Sequence, residues 1–196
     1  MRWFRRTPLE AARWVIVDCE TSGLDPARDR LLTVGAVAVT HGRIDLAHAF
    51  EASVKQRVPS APENILVHGI GAEAQLAGLP AHDVIKGLAD HVGDAIPVGF
   101  HAPFDAAVLG RYGFRAGEQW LDLAQLMPAL FARRNAQTLE DWLVEFDIAI
   151  QSRHDALGDA FSTAQLLLVV LAEAKRQAIG TVEGLRRAQR HRRWLA

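Results

Sequence analysis

Apolar and polar positions along the chain change period several times, and each change marks an element. Trp14-Val15-Ile16-Val17 is a short apolar run that stops at Asp18, and Thr21-Ser22-Gly23-Leu24-Asp25-Pro26 follows with turn chemistry. This predicts a buried strand with an acidic tip. Leu31 to Val39 is rich in β-branched and small apolar residues, His41-Gly42 suits a tight turn, and Ile44 to Val54 alternates, which predicts a hairpin beside the first strand. The Pro, Gly and Ala content from Pro59 to Pro80 predicts loops with short helical turns. His82 to Val92 then carries Val84, Ile85, Leu88 and Val92 as a helical stripe. Ile96 to Phe100 reads as a strand, Pro103 to Tyr112 as a helix with Pro in its first turn, and Trp120-Leu121 as a brief strand. Thr138-Leu139-Glu140-Asp141 is a capping box with Asp in its fourth place, opening a helix to Phe146, and a long helix spans Ala156 to Ala178. Three strands followed by strands interleaved with helices give an α/β sheet with helices packed on it.

Length and composition narrow the class. The chain has 196 residues, 49% hydrophobic and 23% charged, values of one globular domain that exclude disorder, collagen and coiled coil as the main state. A basic leader (1–12), a main domain (13–180) and a basic tail (181–196) are expected. Cys19 is the single cysteine, so no internal disulfide forms and a cytoplasmic setting is expected. The basic start is followed by no apolar stretch of a signal peptide, and the run Leu166 to Ala172 is far short of a bilayer span, so a soluble protein without membrane contact is expected. The net charge is −1, yet Val182 to Ala196 holds five arginines against Glu183. Arg186, Arg187, Arg190, Arg192 and Arg193 read either as a solvated helix face or as a grip on polyphosphate. Neither the glycine-rich dinucleotide fingerprint nor the P-loop pattern is present.

The candidate chemistry lies in acidic residues at element ends. Side chains at i and i+2 of a strand point to the same side, so Asp18 and Glu20 project together from the tip of the first strand. Two such charges about 4 Å apart repel by about 4 kcal/mol at an effective dielectric near 20, which a divalent cation would offset. Taken alone, Asp18 reads as a cap of the turn, and the pair proves little. Asp105 follows a strand at the start of a helix, where ligand sites of α/β sheets lie, although an Asp there also suits the helix dipole. His154 and Asp159 flank the start of the long helix and converge only if His154 sits on the preceding loop; a surface or capping His is the alternative. Together Asp18, Glu20, Asp105 and Asp159 form an oxygen-donor set that suits Mg²⁺ or Mn²⁺ and disfavours structural zinc. Two such ions can activate a water and stabilise a leaving oxygen in displacement at phosphorus, with His154 suited to take the water's proton.

These residues resemble the motifs of the DEDDh 3'-5' exonucleases. DCETSGL at Asp18 to Leu24 matches the family's first motif in full, and HDALGD at His154 to Asp159 matches its third. Between them, VHGI at Val67 to Ile70 is similar to the family's His-Gly-Ile segment, Phe104-Asp105 with Leu109 fits the second motif, and Asp122 falls where the family has an Asp after its last strand. The resemblance covers Arg13 to Lys175. It implies an RNase H-like fold with a mixed five-stranded sheet flanked by helices, two divalent cations (Mg²⁺ or Mn²⁺), and release of nucleoside 5'-monophosphates from 3' ends. By motif matching, Asp18, Glu20, Asp105 and Asp159 take the metal-ligand roles and His154 that of general base. Thr21, Leu24, His68, His101 and Phe104 take the substrate-binding positions, Leu24 by packing against bases.

One departure stands out. Where the family's second motif has His-Asn, this chain has Phe100-His101, which bears on substrate preference because the Asn position lies near the bound nucleotide. Cys19 is expected on the opposite side of the strand, as a small core residue. The expected function is a metal-dependent 3'-5' exonuclease on single-stranded nucleic acid, DNA ahead of RNA, with a DNA polymerase or another replication or repair protein as candidate partner. The rivals are an RNA-trimming exoribonuclease and a non-catalytic nucleic-acid-binding or polymerase-associated module.

Overall fold

Alternation along the first strand sets the architecture. In the computed structural model, which describes residues 7–115, 120–149 and 155–192, β1 (Arg13–Thr21) sends Trp14 and Ile16 into one apolar cluster and Val15, Val17 and Cys19 into another on the opposite face. A central strand covered on both faces reads as a nearly continuous apolar run, as this one does. β2 (Leu31–Thr40) pairs antiparallel with β1 and with β3 (Arg43–Ser53). His41 and Gly42, both at positive φ, make the connecting turn. β4 (Ile96–Gly99) joins the other edge of β1 in parallel, and β5 (Leu121–Asp122) joins β4 in parallel. The sheet order is β3-β2-β1-β4-β5, the mixed five-stranded sheet that the resemblance implies.

Helices cover both faces. α1 (Pro62–His68) and α2 (Ala72–Ala77) are the short turns expected between Pro59 and Pro80, and α3 (Ala81–Val92) buries its stripe of Val84, Ile85, Leu88 and Val92. α4 (Ala102–Arg111) leaves the end of β4. α5 (Leu123–Leu130) and α6 (Leu139–Glu145) precede α7 (Ala156–Arg176), which lies across β1 and β2. α6 opens with the expected capping box, Thr138 and Asp141 each bonding the other's backbone N–H. α7 is long and apolar enough to cross a membrane, but its Ala160, Ala164, Leu167 and Val170 are core residues against the sheet.

Three differences from the sequence reading have physical causes. α5 starts directly after the two-residue β5 because Asp122 caps it, its carboxylate accepting from Ala124 N–H at 3.1 Å; Pro128 inside the helix hides it from a pattern search. α8 (Val182–Arg192) lies in the stretch assigned to a basic tail. Val182 and Leu185 are fully buried in the cluster under α5 and α7, so the folded unit passes the boundary placed at 180. The leader likewise is not separate as far as it is described. Leu9 enters the same cluster, Pro8 bridges Thr181, and Val182 N–H donates to Thr7 O.

Candidate active site

The row that begins with buried Trp14 and Ile16 continues up the same face of β1 to Asp18 and Glu20. There α7 begins directly over the sheet, because the residue paired with Asp18 on β2 is Gly35. A Cβ at Gly35 would lie 2.3 Å from the Ala156 carbonyl carbon and 2.4 Å from Leu157 N. This close seat brings Asp159, in the first turn of α7, to the strand tip. One carboxylate oxygen each from Asp18, Glu20 and Asp159 lie within 4.8 Å of one another. Burial drives the Asp18 carboxyl well above its ordinary range, with the charges of Asp105, Asp159, Glu20 and Asp155 adding to it. Burial and the neighbouring Asp159 and Asp155 push Glu20 up to about 7. Clustered oxygen donors that resist ionisation together are the donor set of a hard divalent cation, so these residues fit one.

Asp105 stands beside this group rather than within it. It is 4% exposed, in the first turn of α4, and hydrogen-bonds with the Cys19 thiol and the Cys19 backbone. Burial raises it to about 8, which the Cys19 bonds moderate and the charge of Asp122 augments. Cys19 is the small core residue expected, and its thiol faces the carboxyl of Asp105. The start of α4 is fixed by Asp122, whose Oδ1 accepts from His101 N–H at 3.0 Å as well as from Ala124 N–H. His101 caps α4 at φ 64°, ψ 40°, a left-handed conformation that costs most side chains about 1–2 kcal/mol and costs Asn and Gly less. The Asn of the family motif is the residue that suits this backbone.

The loop after β1 is organised by a residue the sequence reading passes over. Asp29 accepts from Ser22 Oγ at 2.9 Å and from Asp25 N–H at 2.8 Å, and its carboxylate fills the space a Cβ on Gly23 would take. Arg111 Nη1 donates to Pro26 O and Asp29 O, both at 2.7 Å. This frame holds Thr21, whose hydroxyl donates to Gly23 O at 2.6 Å, and thrusts Leu24 into solvent, 91% exposed. α1 is bound to the same loop by the Asn64 amide, which donates to Ser22 O, and presents Leu66 87% exposed. Leu24 and Leu66 are thus two exposed leucines on segments tied together through Ser22 and Asn64. Phe104 is half-buried against the cluster of Val108 and Leu109. The His68 side chain and the whole of His154 lie outside the described residues. Asp155 follows His154, caps α7 by accepting from Gly158 N–H at 3.1 Å, and adds charge to the cluster; its place three residues before Gly158 was the available signal.

Comparisons with known proteins show the family and the fold. The exonuclease family model RNase_T matches residues 15–167. A DNA polymerase III subunit epsilon-like protein of Rhodobacter capsulatus is 31% identical over 183 residues, covering 89% of this chain and 26% of that protein. A PolC-type DNA polymerase III of Bacillus subtilis is 29% identical over 177 residues, covering 87% and 12%. The chain therefore spans about a quarter or less of these curated relatives. Among solved structures, E. coli exonuclease I in complex with a dT13 oligonucleotide superposes with a TM-score of 0.71 at 19% identity, over 85% of this chain and 42% of that one. Exonuclease X in complex with 5' overhanging duplex DNA superposes at 0.71 with 24% identity, over 90% and 99%. At such identities the likeness concerns the fold, which is RNase H-like. By its motifs, its sheet and the matched family model, the chain belongs to the exonuclease family, in its DEDDh-type branch.

Proposed function

We propose that the chain is a divalent-metal-dependent 3'-5' exonuclease that removes nucleoside 5'-monophosphates from the 3' end of single-stranded DNA. The observation that carries this reading is the meeting of Asp18, Glu20 and Asp159 oxygens within 4.8 Å, with Asp105 buried beside them. In this reading Asp18, Glu20, Asp105 and Asp159 hold two Mg²⁺ or Mn²⁺ ions. When bound, the ions supply charge stabilisation for an attacking water and for the leaving oxygen. The chain's own residues do the rest. His154, one residue before the cap of α7, takes the proton of the water. Leu24, exposed on a braced loop, packs against the terminal base, while Thr21, His68, His101 and Phe104 bound the terminal nucleotide. The DNA complexes of exonuclease I and exonuclease X support DNA as the polymer. The names of the Rhodobacter and Bacillus relatives support work beside a replicative polymerase. A cytoplasmic place of action belongs to the same proposal.

The test incubates the full chain with matched single-stranded DNA and RNA, in Mg²⁺ or Mn²⁺ and in EDTA, alongside a folded Asp18→Ala variant. Cleavage of DNA ahead of RNA, abolished by EDTA and by the substitution, is expected. Faster cleavage of RNA would give the RNA-trimming activity instead, and full activity in EDTA or in Asp18→Ala would end the metal mechanism.

A further inference from the structure

The catalytic end of the sheet is crowded with carboxylates, while the substrate proposed for it is a polyanion. Metal ions would answer for the scissile phosphate, but the phosphates further along the strand need cations at the rim. Arg30 and Arg111 lie near the β1 loop, and both donate to backbone carbonyls, Arg30 to Val58 O and Arg111 to Pro26 O and Asp29 O. They brace loops. α8 offers a different set.

The course of α8 leads toward the site. It starts at Val182, whose N–H donates to Thr7 O in the segment that precedes β1. One face is anchored by buried Val182 and Leu185. Two turns on, Gln189 Oε1 accepts from Asp122 N–H at 3.1 Å. Asp122 is the residue that fixes His101 and the first turn of α4, where Asp105 lies. The later half of α8 therefore rests against the end of β5 from which the catalytic machinery emerges. On a helix, Arg186 and Arg187 lie four and three residues before Arg190, so the three form one contiguous patch. Arg187 and Arg190 are exposed and Arg186 is half-buried.

Helix-dipole attraction explains a cation in the last turn but not two more a turn earlier. Like charges at this spacing oppose helix formation by about 0.2–0.5 kcal/mol per pair. Glu183, the helix's one carboxylate, sits in its first turn, three and four residues before Arg186 and Arg187 and two turns from Arg190, so it offsets at most one of the three charges. Burial lowers Arg186, Glu183 opposes that, and the charge of Arg190 adds to it. A patch of guanidiniums, whose planar forks match phosphate oxygens, is the reverse of a neutral solvated face.

We propose that Arg187 and Arg190, with Arg186 beside them, hold the phosphodiester backbone of the single-stranded DNA on the 5' side of the bond being cut. The inference rests on the exonuclease reading and extends its substrate contact to a helix outside the matched span. Truncation is no test of it, because removing α8 would uncover the core beneath Leu185. The test compares the full chain with its Arg187→Gln/Arg190→Gln variant on a long oligothymidylate and on a thymidine dinucleotide, in Mn²⁺ over a range of salt. With about 0.7 lost per phosphate contact on a single strand, the log KM against log salt slope for the long strand falls by about 1.4. At low salt its KM rises roughly tenfold, the dinucleotide KM moves by less than about twofold, and an Arg187→Lys/Arg190→Lys variant recovers most of the slope. A folded Gln variant with unchanged KM and slope on the long strand, or with equal losses on both substrates, overturns the inference. A wild-type chain that cleaves neither substrate in Mn²⁺ overturns the exonuclease reading, and this inference with it.

Discussion

Gly35 lies outside every motif, yet the geometry makes it a condition of the site. In Gly35→Ala the new methyl would stand 2.3 Å from Ala156 C and 2.4 Å from Ala156 O and Leu157 N, where ordinary contacts are 3.4–4 Å. The obstructing atoms are backbone, so no rotamer relieves the overlap, and the start of α7 must retreat by about 1 Å. Overpacking of this kind costs about 1–3 kcal/mol, which leaves a domain of this size folded. Asp159 rides on the displaced turn, and a 1 Å misplacement in a catalytic constellation costs about a hundredfold in rate. The expected result is a lowered urea midpoint, a kcat down about a hundredfold on single-stranded DNA, and weakened Mn²⁺ binding by calorimetry. Gly42→Ala is the control. Gly42 sits in the β2–β3 turn at φ 70° with nothing near its would-be Cβ, so the substitution costs about 1–2 kcal/mol while kcat holds. A Gly35→Ala chain with wild-type kcat and Mn²⁺ affinity would mean that Gly35 does not set the seat of α7 or the place of Asp159.

Other outcomes follow from the same geometry. Glu20 and Asp105 ionise in the folded chain only near 7 and 8, against 4.5 and 3.8 for ordinary carboxyls, so the metal-free fold binds more protons than the unfolded chain. The stability these groups contribute is therefore present below their ordinary values and is lost as pH rises toward 8. Melting temperatures in EDTA should fall across that window, less so in Asp105→Asn, and Mg²⁺ affinity should rise with pH; a flat profile in EDTA would contradict the clustering. Asp122→Asn keeps an oxygen for the His101 and Ala124 N–H groups and should retain most activity, while Asp122→Ala leaves both unsatisfied and should cost about 1–3 kcal/mol by urea unfolding. His101→Asn suits the left-handed cap, so its melting temperature should hold or rise while its DNA-to-RNA rate ratio shifts. An unchanged ratio would remove His101 from substrate choice.

Where the sequence is legible, a strict period or a terminal residue carries the signal. Trp14 and Ile16 set the face on which Asp18 and Glu20 emerge, and the long apolar stripe after Gly158 locates α7 and hence Asp159. Legibility fails where a contact is distant in sequence or an element is short. α8 hides behind its arginines because, among the described residues, its fully buried apolar side chains are just Val182 and Leu185, and Pro128 masks α5. Nothing local marks Gly35 as the seat of a helix more than a hundred residues later, or Asp29 as the brace under Leu24. Cys19 reads correctly as a core residue, but its bond to Asp105 depends on where α4 lands.

The measurement that bears most directly on the proposed activity compares the position of a label on one single-stranded DNA, cut by the full chain in Mn²⁺. With the label at the 3' end, nucleoside 5'-monophosphate should carry it from the first turnovers. With the label at the 5' end, it should stay in a ladder that shortens one nucleotide at a time. Early release of the 5' label, or fragments from internal cuts with both ends retained, would contradict removal from the 3' end by the carboxylates at the tip of β1.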